Sequence, residues 1–155
     1  MKSVKDLLVA HPFFYGMDQH LVTRLEGCAR NEHFHTGDLL FAQDQDADRF
    51  LLLRSGKVAL EVPGPRGRRQ VVSTVRAGEV VGWSWFVPPY QWLFDARALT
   101  EVSAVSVDAA CLRDRCAKDP VLGYALMGRV AQVMYGRLHS ARLQMLDLYA
   151  ADHGG

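Results

Sequence analysis

Residues 37–62 read GDLLFAQDQDADRFLLLRSGKVALEV, and their punctuation decides the fold. The apolar runs Leu39-Leu40-Phe41, Phe50-Leu51-Leu52-Leu53 and Val58-Ala59-Leu60-Glu61-Val62 are each too short for a helix. They are separated by an acidic turn, Asp44 to Asp48, and by Ser55-Gly56, so they read as successive strands. Downstream, Pro63-Gly64-Pro65-Arg66-Gly67-Arg68-Arg69 reads as a hairpin connection, and Val71-Val72 to Val75 as its return strand. Gly78 and Gly82 mark further bends, and Leu99 to Val107 reads as one more alternating strand. Short strands at this spacing, from about His33 to Asp108, predict an antiparallel barrel or sandwich.

The flanks are helical. Between Val4 and Ala29, Pro12 must break any helix, Asp18 is a natural N-cap, and Leu21, Val22 and Leu25 form one apolar face. From Cys111 to Tyr149 the chain reads as helix again, with Asp119-Pro120 opening a long one. Along it Met127, Ala131, Met134, Leu138, Ala141, Met145 and Leu148 recur at alternating spacings of four and three, an a/d seam. Arg129, Arg137, Arg142, Gln144 and Asp147 fall off it. Such a stripe can cover the helix's own domain, but its length favours pairing with a twin helix in a homodimer. Gly128 and Gly136 cost helix propensity, which close approach of two helices would explain. The expected domain is 1–149, with its long helix over about 120–149, and 150–155 is a tail.

Of 155 residues, 49% are hydrophobic and 23% charged, which excludes a disordered or collagen-like chain. Eighteen Lys and Arg against 17 Asp and Glu leave +1, so no basic field points to nucleic acid. Cys28, Cys111 and Cys116 are few and odd in number, and suit a reducing compartment better than a disulfide framework. Asp6 and His11 interrupt the only N-terminal apolar run, and no stretch reaches the length of a membrane span. A soluble, cytoplasmic protein is expected.

Pro12-Phe13-Phe14 with Gly16, Gly37-Asp38 with Phe41, Ala47 with Phe50, Ser55-Gly56-Lys57-Val58 and Gly78-Glu79-Val80-Val81-Gly82 follow one another in order. So do Arg97-Ala98-Leu99-Thr100, Asp108 and Asp119-Pro120. From about Leu7 to Leu148 the chain resembles the cyclic nucleotide-binding domain, the sensory half of bacterial catabolite-activator and FNR-type regulators. The resemblance implies a mainly β fold: an antiparallel β-roll of the cupin-like jelly-roll type, with short N-terminal helices and a long C-terminal helix. In that family the helix pairs the dimer and closes over the ligand, while a short helix between two strands offers backbone N–H groups to a phosphate. A Glu after the glycine meets the ribose, and a later Arg meets the cyclic phosphate.

At both of those positions this chain departs. Trp83 follows Gly82, and aligning Arg97-Ala98 places Trp92 and Leu93 where the phosphate Arg and its small neighbour belong. Losing the Arg removes a charge-assisted hydrogen bond of about 1.5–3 kcal/mol, about tenfold to a hundredfold in affinity. Binding of cyclic AMP or cyclic GMP is therefore doubtful by sequence. The segment from Trp83 to Trp92 holds all three tryptophans. They either fill the family's pocket or line an aromatic one, with Ser84, Arg97 and the backbone N–H groups around Val81 and Gly82 as its polar anchors. By family position His139, Ser140 and Arg142 sit where the helix approaches the ligand, but a solvated helix face is the preferred reading for them, as a surface arginine is for Arg97.

Other constellations are incomplete. His33-Phe34-His35 with Gly27 opens a cupin metal motif, but Leu39 or Leu40 stands where its Glu belongs, so no metal is expected. Asp44, Asp46 and Asp48 alternate like a calcium loop, yet Arg49 replaces its glycine and Ser55 its closing Glu. Cys111 and Cys116 lack a second ligand pair for zinc, and Arg66, Arg68 and Arg69 form a charged hairpin tip. The family's regulators continue into a helix-turn-helix, whereas this sequence ends soon after Leu148, so no direct DNA binding is expected. The expectation is a non-enzymatic sensor or adaptor with a diverged aromatic pocket, acting through protein contacts and a possible small-molecule ligand. A genuine cyclic-nucleotide receptor, a cupin-type metalloprotein using His33 and His35, and a purely structural subunit are the alternatives.

Overall fold

Seven strands carry the described residues' central roll, which the computed structural model describes within residues 2–153. In chain order the elements are α1 (Val4–Ala10), α2 (Gln19–Thr23), β1 (Ala29–Phe34), β2 (Leu39–Phe41), β3 (Arg49–Ser55) and β4 (Lys57–Pro63). They continue with β5 (Arg69–Arg76), β6 (Asp95–Ala98), β7 (Val102–Asp108), α3 (Ala109–Lys118) and α4 (Pro120–His153). All strand pairings are antiparallel, in two sheets ordered β1-β7-β3 and β2-β6-β4-β5. The roll thus begins at Ala29, a little before the expected His33.

The uninterrupted run Phe50 to Leu53 is buried on both faces of β3. One face meets the opposite sheet, and the other lies under the N-terminal helices, where Phe13 meets Phe50 edge-on at 5.2 Å. A strand covered on both sides needs apolar residues at every position, which is why this stretch does not alternate. Asp18 caps α2 through its carboxylate and the His20 N–H, and Val22 and Leu25 are buried, as their spacing predicts.

The strand expected over Leu99 to Val107 is β7, which starts only at Val102; Leu99 to Glu101 form the turn that joins it to β6. The chain turns at Leu99 to Glu101 and passes from one sheet to the other. Leu99 N–H donates to the Lys57 carbonyl, and the Lys57 N–H to Thr100 Oγ1. This turn lies so close to Ser55-Gly56 that a Cβ on Gly56, whose φ is +92°, would sit 2.2 Å from the Glu101 carbonyl oxygen. Only glycine fits there.

The cysteine expectation is also corrected: Cys28 and Cys111 form a disulfide, and Cys116 alone is free. Cys28 immediately precedes β1 and Cys111 lies in the first turn of α3, directly after β7. Because Ala29 pairs with Val107, the strand register itself brings the two Cα atoms to 5.7 Å. At the other end, α4 continues through the residues expected as a tail, to His153. Ala150 and Ala151 are strong helix formers, and no Gly or Pro stands between them and His153. None of the described helices is long and apolar enough to cross a membrane.

His11 joins the N-terminal segment to the roll. Its Nε2 bonds the Leu53 carbonyl at 2.8 Å, while Nδ1 accepts the Phe13 N–H at 3.1 Å. The Phe13 N–H requires Nδ1 without its proton, so the two bonds together select the neutral ring with its proton on Nε2. Burial lowers its pKa, the Leu53 carbonyl raises it and the Arg54 charge lowers it, for a net fall. The unfolded chain therefore takes up the proton first as pH falls, so stability from this group is full above about pH 6.5 and is lost below it. Denaturant titrations at about pH 7.5 and pH 5 are expected to show a smaller acid loss in His11→Gln than in the wild type. Equal losses would remove His11 as the cause.

Candidate functional site

Between the roll and α4 lies a cavity of about 910 Å³. The roll contributes Leu60, Val72, Ser73 and Thr74 to its wall, and the bend after β5 contributes Gly78, Glu79 and Val80. The segment between β5 and β6 supplies an aromatic side, and α4 supplies Arg129, Gln132, Val133, Arg137 and Ser140. Its position is that implied by the family resemblance for the ligand.

The aromatic segment is a chain of turns rather than a short helix. Phe86, Val87 and Tyr90 N–H groups donate to the carbonyls of Trp83, Ser84 and Val87. Those N–H groups are thus committed locally rather than aimed at an anion. Arg113 of α3 fixes the segment from behind: its Nη1 donates to the Trp85 carbonyl at 2.7 Å, and its guanidinium lies 4.3 Å from the Tyr90 ring centre.

The three tryptophans have different placements. Trp85 is fully buried against Phe50, with ring centres 4.8 Å apart, and its Nε1 has no hydrogen-bond partner among the described residues. Trp92 is buried but reaches the cavity wall; it stacks on Phe41 at 3.7 Å with the planes 8° apart. Gly82, with φ +79°, lets this stack close, because a Cβ there would stand 3.1 Å from Trp92 Cζ3. Trp83 is half-buried and lines the cavity. One tryptophan fills core, one is core and wall at once, and one is wall.

Of the residues singled out in the sequence, Gly82, Trp83, Ser84, Trp92, Leu93 and Ser140 line the cavity together. The others are elsewhere. Val81 is buried and its N–H donates to the Leu51 carbonyl. Arg97 is turned away: its Nε donates to Glu61 Oε1 at 2.9 Å and its Nη1 to the Gly37 carbonyl. Glu61 is buried, and a buried carboxylate holds its one cation firmly. His139 is exposed and is not part of the wall.

Arg137 was missed by the sequence argument, which placed it only off the helix seam. Its Nη2 donates to the Val80 carbonyl at 2.6 Å and its guanidinium lies 5.5 Å from the Trp83 ring centre, a cation–π contact. Burial lowers its pKa from the ordinary guanidinium value, with the Glu79 charge opposing that fall, and an arginine stays charged nonetheless. Arg129, about two turns earlier on the same side, donates to the Tyr15 carbonyl. The signal was present: Arg129, Val133, Arg137, Ser140 and Gln144 recur at spacings of four and three on one side of the helix.

The long helix carries two apolar stripes. Leu122, Leu126 and Val130 are buried, and with half-buried Val133 they cover the protein's own body. The predicted seam lies mostly on another face, although its Ala141 lines the cavity. Met127 is 52% exposed, Leu138 52%, Met145 68% and Leu148 70%. From Leu138 to Asp152 every residue is exposed, about 22 Å of helix at 1.5 Å per residue.

The residues present do not reproduce the phosphate site of the resembled family. Trp83 and Trp92, expected from the sequence at the ribose and phosphate positions, carry no charge, and Arg97 is bound to Glu61. The fold is nevertheless that of the family. The model of the cyclic nucleotide-binding domain matches residues 31–119. The CRP-like cAMP-activated global transcriptional regulator of Mycobacterium tuberculosis is 26% identical over 150 residues, covering 97% of this chain. The chain spans 65% of that regulator's length. A crystal structure of a Geobacter metallireducens protein described as cyclic nucleotide-binding is similar at TM-score 0.78 and 29% identity, over 90% of this chain and 100% of that one. The N-terminal domain of a Streptomyces coelicolor transcriptional regulator is similar at TM-score 0.68 and 28% identity, over 90% and 95%. With more than half of its residues matched by the family model, on a β-roll closed by a long helix, the chain belongs to the cyclic nucleotide-binding domain family.

Proposed function

We propose that this chain is a non-enzymatic sensing module whose cavity takes a small molecule other than an ordinarily bound cyclic nucleotide, and whose α4 passes the signal to a second copy. Arg137 is the observation that carries the reading. It sits on α4, yet it holds the Val80 carbonyl and the face of Trp83, so one side chain joins the aromatic wall to the output helix. A ligand with a flat apolar body and an acceptor or anionic group suits that corner. The body would lie along Trp83 and Trp92, and the polar group would compete with Val80 for the guanidinium. Binding that exchanges those partners would change what holds α4 against the roll, which is the differential contact that a two-state signal requires.

The exposed seam supports the second half of the reading. Met127, Met134, Leu138, Met145 and Leu148 form a stripe that the chain's own body does not cover, and a second α4 offers the complementary stripe. The partner is a second copy of the chain, with further proteins engaged through the dimer.

Sedimentation velocity tests the output half. The wild type is expected as a dimer at tens of micromolar, and Met134→Glu with Leu138→Glu as a monomer. Burying unpaired carboxylates in the seam would weaken association by about a hundredfold or more. A wild type that sediments as one 17.3 kDa chain would remove the helix pairing from the proposal.

A further inference from the structure

The antiparallel register of β1 and β7 places a third ligand beside the two histidines that the sequence leaves as a pair. His33 lies opposite Ser103, and Phe34 opposite Val102. Continuing that register by one step sets His35 across from Glu101. Side chains alternate along strands, so His33, His35, Glu101 and Ser103 share one face. His33, His35 and Glu101 are all exposed, so this face is open to solvent.

Their atoms converge. Glu101 Oε2 is 3.1 Å from His33 Nε2 and 3.1 Å from His35 Nδ1. The three donor atoms lie within 4.8 Å of one another, and all three residues are exposed. Ligand atoms around a tetrahedral Zn²⁺ at about 2.0–2.1 Å stand about 3.3 Å apart, so both separations are close to those around a shared ion. His33 Nδ1 is 3.3 Å from Ser103 Oγ, the kind of outer contact that orients a ligating imidazole.

We propose that His33, His35 and Glu101 form a surface site for a borderline divalent transition metal, with Zn²⁺ as its probe. Two imidazoles and one carboxylate select such an ion over Mg²⁺ or Ca²⁺, which take oxygen ligands. Three protein ligands leave a position for water or for an incoming donor. The ion would clip the end of β1 to the turn between β6 and β7. The carboxylate comes from the turn before β7, almost seventy residues away in sequence, and for this reason the missing Glu at Leu39 or Leu40 did not rule the site out. This proposal is independent of the cavity.

Calorimetric titration of tag-free protein with zinc chloride tests it, in a Cys116→Ser background so that the free thiol does not compete. One Zn²⁺ per chain is expected, weakening as pH falls through the imidazole range because protons compete for the rings. His35→Ala and Glu101→Gln should each weaken binding by more than about tenfold, since even the loss of an outer-shell partner commonly costs that much. Magnesium chloride should give no binding heat. Both substitutions are on exposed side chains, and melting in the presence of chelator checks that each variant is folded. Binding of Zn²⁺ with unchanged affinity in both variants, or no saturable binding in the parent, would overturn the site.

Discussion

Reducing the Cys28–Cys111 disulfide is expected to destabilise the protein by about 4–5 kcal/mol. The bond closes a loop across 83 positions, and the chain-entropy account assigns about that much to a loop of this length. It is also placed to act on the whole roll. Cys28 precedes the edge strand β1 and Cys111 follows β7, so the bridge clamps the same strand pair that the ladder from Ala29↔Val107 to Phe34↔Val102 holds. At about 2–4 °C per kcal/mol for a chain of this size, the melting midpoint should fall by on the order of 10 °C with reductant. Cys28→Ser with Cys111→Ser should reproduce the fall and make the protein indifferent to reductant. An oxidised wild type that melts at the same temperature with or without reductant would contradict the clamp.

Trp92→Ala carries the second large effect. The indole is buried and stacked on Phe41, and Gly82 has no side chain where the ring closes over it. Removing it takes away the stack and leaves a gap continuous with the cavity, at about 3–5 kcal/mol. Trp92→Phe should recover a large part, because a smaller ring can still stack on Phe41. A loss under about 1 kcal/mol for the alanine variant would mean that the ring is wall only, with no structural share. Chemical denaturation of the three proteins separates these outcomes.

The roll was legible because its signals are local. The short apolar runs, Ser55-Gly56 and the hairpin around Pro63 to Arg69 each dictate a strand or a turn on their own. Where the prediction failed, a distant segment decided. The break at Leu99 to Glu101 comes from packing over Gly56, and the disulfide comes from a register that pairs residues far apart in sequence. The seam on α4 was read from its spacing, and its exposure distinguishes it from the inner stripe of Leu122, Leu126 and Val130.

The site was legible only in part. Gly82, Trp83, Ser84, Trp92, Leu93 and Ser140 follow from family position, and they share one wall because the fold sets it there. Arg97 does not join them, since nothing local reveals that Glu61 of β4 holds it. Arg137 escaped for the opposite reason. Position on the helix was known, but the rotation of α4 against the roll is set by tertiary packing of the inner stripe.

The proposed function requires a cavity that takes no ordinarily bound cyclic nucleotide, with Trp83 and Trp92 read as standing where the family's anchors belong. Thermal unfolding with and without millimolar cyclic AMP and cyclic GMP tests this most directly. A ligand at about 100 times its dissociation constant stabilises by about 2.7 kcal/mol, which would raise the midpoint of this chain by about 5–10 °C. The account predicts no rise with either nucleotide. A rise of several degrees with either would contradict it, and would make Arg137 and Arg129 the anchors of a cyclic-nucleotide receptor.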